Sequence, residues 1–186
     1  MKTCCSFMQV QDLKLRKELK IANVVCTTDL KQKVDIASFN EYEHLHSDLD
    51  LYRCGYVKND TMVGRVTVFG NGKLISVGTK SPQNAGSELK KACQILKKYK
   101  LIKPFKVIPN VRNIVANCNF GKPLHIEKLA CTITGCIYEP EQFPGLIYNM
   151  QNSVVCLLFA SGKVVIVGSK TIEELNTAYF DLGKII

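Results

Sequence analysis

Short runs rich in apolar and β-branched residues recur along this chain between polar and glycine-containing segments, and such runs predict β-strands. Such runs occur at about 51–58, 63–69 and 73–79, and again at 145–150, 153–159 and 163–169. Apolar residues three and four positions apart predict helices at 82–100 and 172–186. Ser81 and Thr171 directly precede these helices, where their hydroxyls can accept free N–H groups of the first turn.

The same order of elements occurs twice. A shift of 90 residues places VTVFGNGKLISVGTKS over CLLFASGKVVIVGSKT without a gap, with hairpin glycine Gly72 over Gly162. Each copy opens with a strand-like run, IANVVCTTD or VRNIVANCNF, followed by a short helical stretch at 35–43 or 126–130. We therefore expect a leader at 1–20, a first repeat at 21–110 and a second repeat at 111–186, the two repeats forming one domain.

The predicted strands are apolar on both faces, which is unusual for an antiparallel α+β protein. In the second copy one alternating set is Cys156, Leu158, Val164 and Ile166, and the other is Val155, Leu157, Phe159, Val165 and Val167. Helices can cover the first set, so the second is expected to form an exposed apolar face of the kind that binds a partner. The alternative is a sandwich in which two sheets close on one another.

Charge narrows the class of partner. The 186 residues carry a net charge of +9, with fourteen Lys and Arg against eight acids in 21–110, but six against six in 111–186. A basic surplus is typical of proteins that bind polyanions, although a solvated helix face would explain the lysines of 90–106 equally well. The nine cysteines include no CxxC pair, which favours reduced structural thiols over zinc. No apolar run is long enough for a membrane span, so we expect a soluble intracellular protein.

Specific segments resemble a known family. YEPEQFPGLIYNM (138–150), LLFASGKVVIVGSK (157–170) and the repeat starts NVVCTTDL and RNIVANCNF resemble the TATA-box-binding protein family of general transcription initiation factors. The resemblance covers about residues 19–186, and the first copy is the more divergent. It implies an α+β saddle of two repeats, with a curved antiparallel sheet of about ten strands and helices on the convex face. It also implies that the concave face binds A/T-rich promoter DNA in the minor groove, bends it and nucleates the preinitiation complex.

The resemblance also implies roles for individual residues. The wedges inserted between base steps are expected to be Phe69, Phe143 and Phe159. The residues along the groove are expected to be Asn23, Asn113, Val25, Val115, Ile75, Leu157, Val165, Val77 and Val167. The phosphate contacts are expected to be Lys73, Lys80, Lys163, Lys170, Ser161 and Arg53. An apolar floor favours A·T pairs, because only G·C adds an amino group in the minor groove.

The first copy departs from the family pattern. Arg53 aligns with Phe143, so one wedge of four is expected to be missing. Valine replaces the family's threonine at Val77 and Val167, and asparagine replaces its phosphate-binding arginine at Asn59 and Asn149. The alternative function is therefore a paralogue with relaxed or lost TATA specificity that acts mainly through protein partners.

Two further surfaces are expected to bind proteins. Glu139 and Glu141 precede Phe143 in a loop where the family contacts transcription factor IIB or its archaeal counterpart; the alternative is a solvated loop. The lysine-rich helix at 88–103 resembles the family's convex surface for other initiation factors or regulators. RNA polymerase is expected to be reached indirectly, and no membrane partner is expected.

No catalytic motif occurs: GxSxG, HExxH, P-loop and GxGxxG patterns are all missing from the sequence. His44 and His46 lack a third candidate metal ligand. We therefore expect no enzyme, no metal and no cofactor. A DNA-processing enzyme module with a related fold and a protein-interaction adaptor are the alternatives of other classes. Basic charge favours a eukaryotic nucleus, with the cytoplasm of an archaeon as the alternative.

Overall fold

The computed structural model describes residues 19–150 and 153–186, so residues 1–18 of the expected leader lie outside the described residues. The described strands are β1 (Lys20–Asp29), β2 (Leu45–Ser47), β3 (Cys54–Val57), β4 (Arg65–Phe69), β5 (Lys73–Thr79), β6 (Asn110–Asn119), β7 (Cys136–Ile137), β8 (Leu146–Asn149), β9 (Val155–Leu158) and β10 (Lys163–Ser169). The helices are a 3-10 helix (Ala37–Glu41), α1 (Pro82–Lys98), α2 (Ile126–Thr132) and α3 (Ile172–Ile185). Over these residues no helix is both long and apolar enough to cross a membrane.

The chain divides into two compact units. The first unit is Asn23–Asn113, and the second consists of the described residues before Asn23 and after Asn113. In the first unit the strand order is β2-β3-β4-β5-β1, and in the second it is β6-β10-β9-β8-β7. Neighbouring strands within each unit pair antiparallel. Each unit therefore has the α+β composition expected from the sequence.

One face of each sheet packs against a helix. In the first unit Val66, Val68 and Leu74 of β4 and β5 are fully buried on the side covered by α1, whose Leu89 and Leu96 are also fully buried. In the second unit Cys156, Leu158, Val164 and Ile166 are buried in the same way, and α3 contacts β10. The alternate residues of the same strands stay accessible, and we call this side the open face. An accessible open face contradicts the sandwich alternative.

The two long helices begin where the sequence predicts. The Ser81 hydroxyl accepts a hydrogen bond from the Asn84 N–H at 3.1 Å, and Pro82 occupies the first turn of α1, where no N–H is needed. The Thr171 hydroxyl accepts from the Glu174 N–H at 3.1 Å at the start of α3. Both predicted caps are confirmed, and they fix where each helix meets its sheet.

Two glycines make the β4–β5 and β9–β10 turns possible. Gly72 has a φ of +87° and Gly162 a φ of +85°, a region that side chains rarely adopt. A Cβ at Gly72 would lie 2.0 Å from the carbonyl oxygen of Gln32, and one at Gly162 would lie 2.3 Å from that of Lys122. Both turns therefore need glycine for conformation and for space.

The two units differ by one residue in a hairpin, which corrects the gap-free alignment. Gly55 pairs with Val68, and in the second unit Leu146 pairs with Leu158. Val68 and Leu158 are 90 residues apart in sequence, but Gly55 and Leu146 are 91 apart. The β3–β4 connection is thus one residue longer than the β8–β9 connection.

A second single-residue change cancels the first. The Val34 N–H donates to the Gly70 carbonyl and the Leu124 N–H to the Ala160 carbonyl, so before β2 and β7 the offset is 90 residues. Within β2, Leu45 pairs with Val57. This pairing makes Leu45 the counterpart of Cys136 in the second unit, and these two residues are 91 apart in sequence. Relative to the second unit, the first unit therefore has one residue fewer before β2 and one residue more after β3.

Candidate nucleic-acid interface

The open face of the first unit mixes apolar, hydroxyl and charged side chains. Strand pairing aligns one row across five strands: His46, Tyr56, Thr67, Ile75 and Thr27. The predicted groove residues Asn23, Val25 and Val77 are half-buried in the same strands as this row. The predicted groove residues of the first copy are therefore together on one accessible surface.

The open face of the second unit is more apolar. The corresponding row is Ile137, Ile147, Leu157, Val165 and Asn117. The other predicted groove residues, Asn113, Val115 and Val167, are half-buried in β6 and β10, and Asn113 is the last residue of the first unit. An accessible row with four apolar members out of five matches the expected apolar floor.

Two of the predicted wedges lie side by side at the end of this floor. The Phe143 and Phe159 rings are 5.7 Å apart between centroids and meet edge to face. Gly145 makes room for them, since a Cβ there would lie 2.8 Å from the Phe143 ring and 3.1 Å from the Phe159 ring. Phe69, the predicted wedge of the first copy, ends β4 in the position equivalent to Phe159 and is half-buried.

The strand register corrects the fourth wedge position. Cys54 pairs with Phe69, and continuing the β8–β9 register by one residue brings Gly145 opposite Phe159. Cys54 therefore corresponds to Gly145, and two residues earlier Tyr52 corresponds to Phe143. The expectation that arginine replaces this wedge is wrong, because the extra residue of the β3–β4 connection shifts the alignment by one. Tyr52 is 61% exposed, and Arg53 beside it is exposed.

The same shift corrects a second departure. Asn149 pairs with Val155, and continuing the β3–β4 register brings Lys58 opposite Arg65, the residue equivalent to Val155. Lys58, and not Asn59, is therefore the counterpart of Asn149. The first unit has a positive charge at this position, which the sequence alignment had treated as lost.

One of the two predicted groove amides is held by its own unit. The Asn23 side-chain oxygen accepts a hydrogen bond from the Gly78 N–H at 2.8 Å. This contact orients the amide, so its NH2 group is the remaining donor. Asn113 occupies the matching position in β6 and is half-buried.

The predicted phosphate contacts lie at exposed strand ends and turns: Lys73, Lys80, Lys163, Lys170 and Ser161. Their surroundings differ between the units. Asp29 pairs with Lys73, whereas Asn119 pairs with Lys163. The Lys31 N–H donates to the Asp29 carboxylate at 2.9 Å and its ammonium lies 3.0 Å away, and these contacts lower the pKa of Asp29. The lysine of the first unit thus has an ionised carboxylate beside it, and the lysine of the second unit has a neutral amide.

A cavity of about 790 Å³ in the second unit brings several predicted residues together. Its lining includes the wedge Phe159, the floor residue Val165 and the phosphate candidates Ser161 and Lys163. Lys20, which the sequence analysis had not singled out, also lines it. The sequence carried no signal of this role, because Lys20 falls in the expected leader at 1–20, whereas in the structure it is the first residue of β1.

The acidic loop is shaped by its own backbone. The N–H groups of Gln142 and Phe143 donate to the Glu139 carbonyl at 3.0 and 2.9 Å. The side chains of Glu139 and Glu141 are exposed. The turn that positions the Phe143 ring therefore also presents two carboxylates to solvent.

Two histidines and two of the buried thiols have defined surroundings. Among the described residues no group of three His, Cys, Asp or Glu side chains could hold a metal ion. His44 lies 3.5 Å from Glu43, and His46 is on the open face. Burial raises the pKa of the Cys93 thiol to about 11 and that of Cys156 to about 12, so both are protonated at neutral pH.

The comparison with known proteins decides the family. The family described as "Transcription factor TFIID (or TATA-binding protein, TBP)" matches residues 18–99 and 108–186. The chain belongs to the TATA-box-binding protein family. It is similar to the TATA-box-binding protein of Cenarchaeum symbiosum, with 39% identity over 90% of this chain and 93% of that protein. The same-named protein of Acetabularia peniculus is 34% identical over 89% of this chain and 84% of that protein.

A solved structure agrees with the sequence relatives. Methanococcus jannaschii TBP matches with a TM-score of 0.79 and 29% identity, covering 90% of this chain and 97% of that chain. The predicted family and α+β fold class are thus confirmed. The family is one of transcription factors and not of enzymes.

Proposed function

We propose that this protein is a general transcription initiation factor that binds TATA-like, A/T-rich promoter DNA in the minor groove. The observation that carries the proposal is the second unit's open face, where an apolar floor, paired phenylalanine rings and lysines occur together. A duplex needs this combination for burial of the groove, unstacking of a base step and neutralisation of phosphates. Membership of the TATA-box-binding protein family supports it.

Base selection follows from the chemistry of the groove. A·T pairs present only acceptors in the minor groove, whereas G·C adds the guanine amino donor. Against Leu157 and Val165 that donor would lose water without gaining a partner, which costs about 1–3 kcal/mol. The amides of Asn23 and Asn113 can donate to the A·T acceptors. Phe69, Phe143 and Phe159 would unstack base steps, which bends the duplex most readily at flexible TA steps.

Phosphate contacts would supply affinity without sequence preference. Their members are Lys73, Lys80, Lys163, Lys170, Ser161 and Arg53, to which the strand register adds Lys58. Each lysine that neutralises a phosphate makes binding more sensitive to salt. An aromatic side chain at the wedge position, Tyr52, and the charge of Lys58 weaken the case for a paralogue with relaxed or lost TATA specificity that acts mainly through protein partners.

Protein partners would bind elsewhere on the chain. Glu139 and Glu141 are exposed beside Phe143, and DNA phosphates would repel them, so we assign this loop to transcription factor IIB or its archaeal counterpart. The lysine-rich surface of α1 and the residues after it would bind other initiation factors or regulators, and RNA polymerase would be recruited through them. We propose a non-catalytic role for the protein. We also propose that the chain consists of a leader at 1–20, a first repeat at 21–110 and a second repeat at 111–186. Among the similar proteins are those of Cenarchaeum and Methanothermobacter, which favours an archaeal cytoplasm over the nucleus.

The test is fluorescence anisotropy with a duplex that carries TATAAA and a scrambled duplex, over a salt series. We expect a clear preference for TATAAA and a loss of about tenfold in affinity for Phe159→Ala, since aromatic–base stacking contributes about 1–3 kcal/mol. Phe180→Ala is the matched control, because Phe180 is 42% exposed on α3, the helix that packs against the covered side of β10. Equal, weak and salt-sensitive binding to both duplexes would contradict the proposal.

A further inference from the structure

The outer three strands of the two units present opposite chemistry on their open faces. In the first unit the aligned side chains are His46, Tyr56 and Thr67, and in the second they are Ile137, Ile147 and Leu157. Thr67 and Leu157 occupy equivalent positions, because each pairs with the central residue of the next strand, Ile75 or Val165. The contrast lies within one chain, so it needs no comparison with other proteins.

The hydroxyl groups of the first unit are available to a ligand. The Thr67 side chain is half-buried and has no hydrogen-bond partner among the residues that the structure describes. Thr27, two strands away, accepts from the Arg112 guanidinium at 3.1 Å and keeps its own O–H to donate. Thr67 and Thr27 lie in one row with Ile75, whose strand β5 lies between their two strands.

Tyr56 adds a third hydroxyl and a held cation. The Arg65 guanidinium lies over its ring at 4.5 Å, so the ring and the charge are fixed together on the open face. A side-chain hydrogen bond with Cys54 is the main factor that raises the pKa of Tyr56, and even an unshifted phenol, with a pKa of about 10, keeps its proton at neutral pH. Arg65 corresponds to Val155, so the second unit lacks this cation.

A hydroxyl face and an apolar face treat guanine differently. The guanine amino group is a donor, and on an apolar face it loses its water without a replacement. A hydroxyl can accept from that amino group, and it can also donate to the N3 or O2 acceptors of an A·T pair. A face with hydroxyls is therefore tolerant of both kinds of base pair, whereas an apolar face discriminates between them.

We infer that the open face of the first unit accommodates G·C pairs that the second unit excludes, so that the protein recognises an asymmetric DNA element. One part of the element, against the second unit, must be A·T. The other part, against Tyr56 and Thr67, can contain G·C. The inference rests on the proposed function and specifies which DNA sequences that function selects.

The test is a substitution scan of the TATAAA duplex by competition anisotropy. Each A·T pair is replaced in turn by G·C, and then by inosine·C, which lacks the minor-groove amino group. We expect G·C to weaken binding about tenfold at positions against the second unit, as for a mismatched base in a specific site, and less than about threefold against the first. Inosine·C should restore affinity wherever G·C has reduced it, which isolates the amino group as the cause.

Two reciprocal variants assign the positions to the units. Thr67→Val removes the hydroxyl from the first unit, and Leu157→Thr introduces one at the equivalent position of the second. For each variant the quantity measured is the ratio of its affinities for the G·C and A·T duplexes. Thr67→Val should raise the G·C penalty at the tolerant positions towards tenfold, and Leu157→Thr should lower it at the discriminating positions.

The outcomes separate this inference from the proposed function. A G·C penalty that is the same along the whole element, or that neither variant changes, would overturn the inference while leaving A/T-rich binding intact. Circular dichroism of each variant distinguishes a misfolded protein from one with altered recognition. Failure of every duplex, the unsubstituted TATAAA duplex included, to bind above the scrambled control would instead overturn the proposed function.

Discussion

Single residues decide what the open face can do, and Tyr52 shows how strongly their role depends on pairing. It is 61% exposed, two residues before Cys54, which pairs with Phe69. An aromatic ring at this position can stack on a base, whereas the arginine next to it can only contact a phosphate or the groove edge. The two side chains are neighbours in sequence, yet they imply different mechanisms.

Substitution of these two residues separates the mechanisms. Tyr52→Ala should weaken binding to the TATAAA duplex about tenfold, because the loss of a stacked aromatic side chain costs about 1–3 kcal/mol. Tyr52→Phe keeps the ring and is the matched control. Arg53→Ala should have a small effect that disappears at high salt, since a phosphate contact is screened. A larger loss for Arg53→Ala than for Tyr52→Ala in anisotropy at high salt would argue against the wedge assignment.

At the scale of elements, the hairpin turns hold the lysines and phenylalanines in place. Gly72 lies between Phe69 and Lys73, and its N–H donates to the Phe69 carbonyl at 2.9 Å. Gly162 makes the same bond to Phe159. A turn that approaches the Gln32 or Lys122 backbone this closely leaves no room for a side chain. The turn chemistry therefore determines where the wedge and phosphate candidates are presented.

Two glycine substitutions measure the importance of that space. Gly121 also has a positive φ, of +70°, but a Cβ there would meet no atom within 4 Å. Gly121→Ala should therefore lower the free energy of unfolding by only about 1–2 kcal/mol, the conformational cost alone. Gly72→Ala adds a backbone clash and should cost more than about 3 kcal/mol. Urea denaturation measures both, and equal losses would show that the Gln32 contact relaxes without cost.

At the scale of the whole molecule, positive charge is concentrated in one segment of the first unit, residues 89–111. Residues 89–111 contain no acid, and Lys97, Lys100 and Lys103 line one groove of that region. Gln32 fixes the segment with two hydrogen bonds, to the Lys103 N–H at 2.8 Å and to its carbonyl at 3.3 Å. Within the first unit, α1 covers the side of β4 and β5 opposite the open face.

Neutralisation of the lysines in this groove distinguishes charges that contact DNA phosphates from charges that do not. A Lys97→Gln, Lys100→Gln and Lys103→Gln triple variant should bind the TATAAA duplex within about threefold of the parent, because these lysines lie in and just after α1, which covers the side of the sheet opposite the open face. Lys163→Gln should instead reduce the slope of log affinity against log salt by about one. Anisotropy over a salt series measures both. A triple variant with a smaller salt slope than Lys163→Gln would place the groove lysines on DNA.

Whereas the short strands β2 and β7 were not predicted, local runs of apolar residues and turn chemistry were enough to predict eight of the ten described strands, the helix caps Ser81 and Thr171, and the hairpin glycines. These features depend on residues close together in the chain, so a single sequence carries the signal. The repeat and its family motifs also led to the predictions of Leu157, Val165 and the two phenylalanines of the second unit, because that copy keeps the pattern over a continuous segment. Ile137 and Ile147 of the same row were not predicted.

Only the tertiary structure decided the alignment of the first unit with the second. One residue lost before β2 and one gained after β3 cancel, so a constant offset of 90 residues looks continuous while the strands between are shifted. A shift of one residue moves a side chain to the other face of a sheet. Strand pairing therefore decides whether Tyr52 or Arg53 is the counterpart of the wedge. It also places His46, Tyr56 and Thr67 on one open face. The sequence alone could not show this, because the residues that pair are distant in the chain.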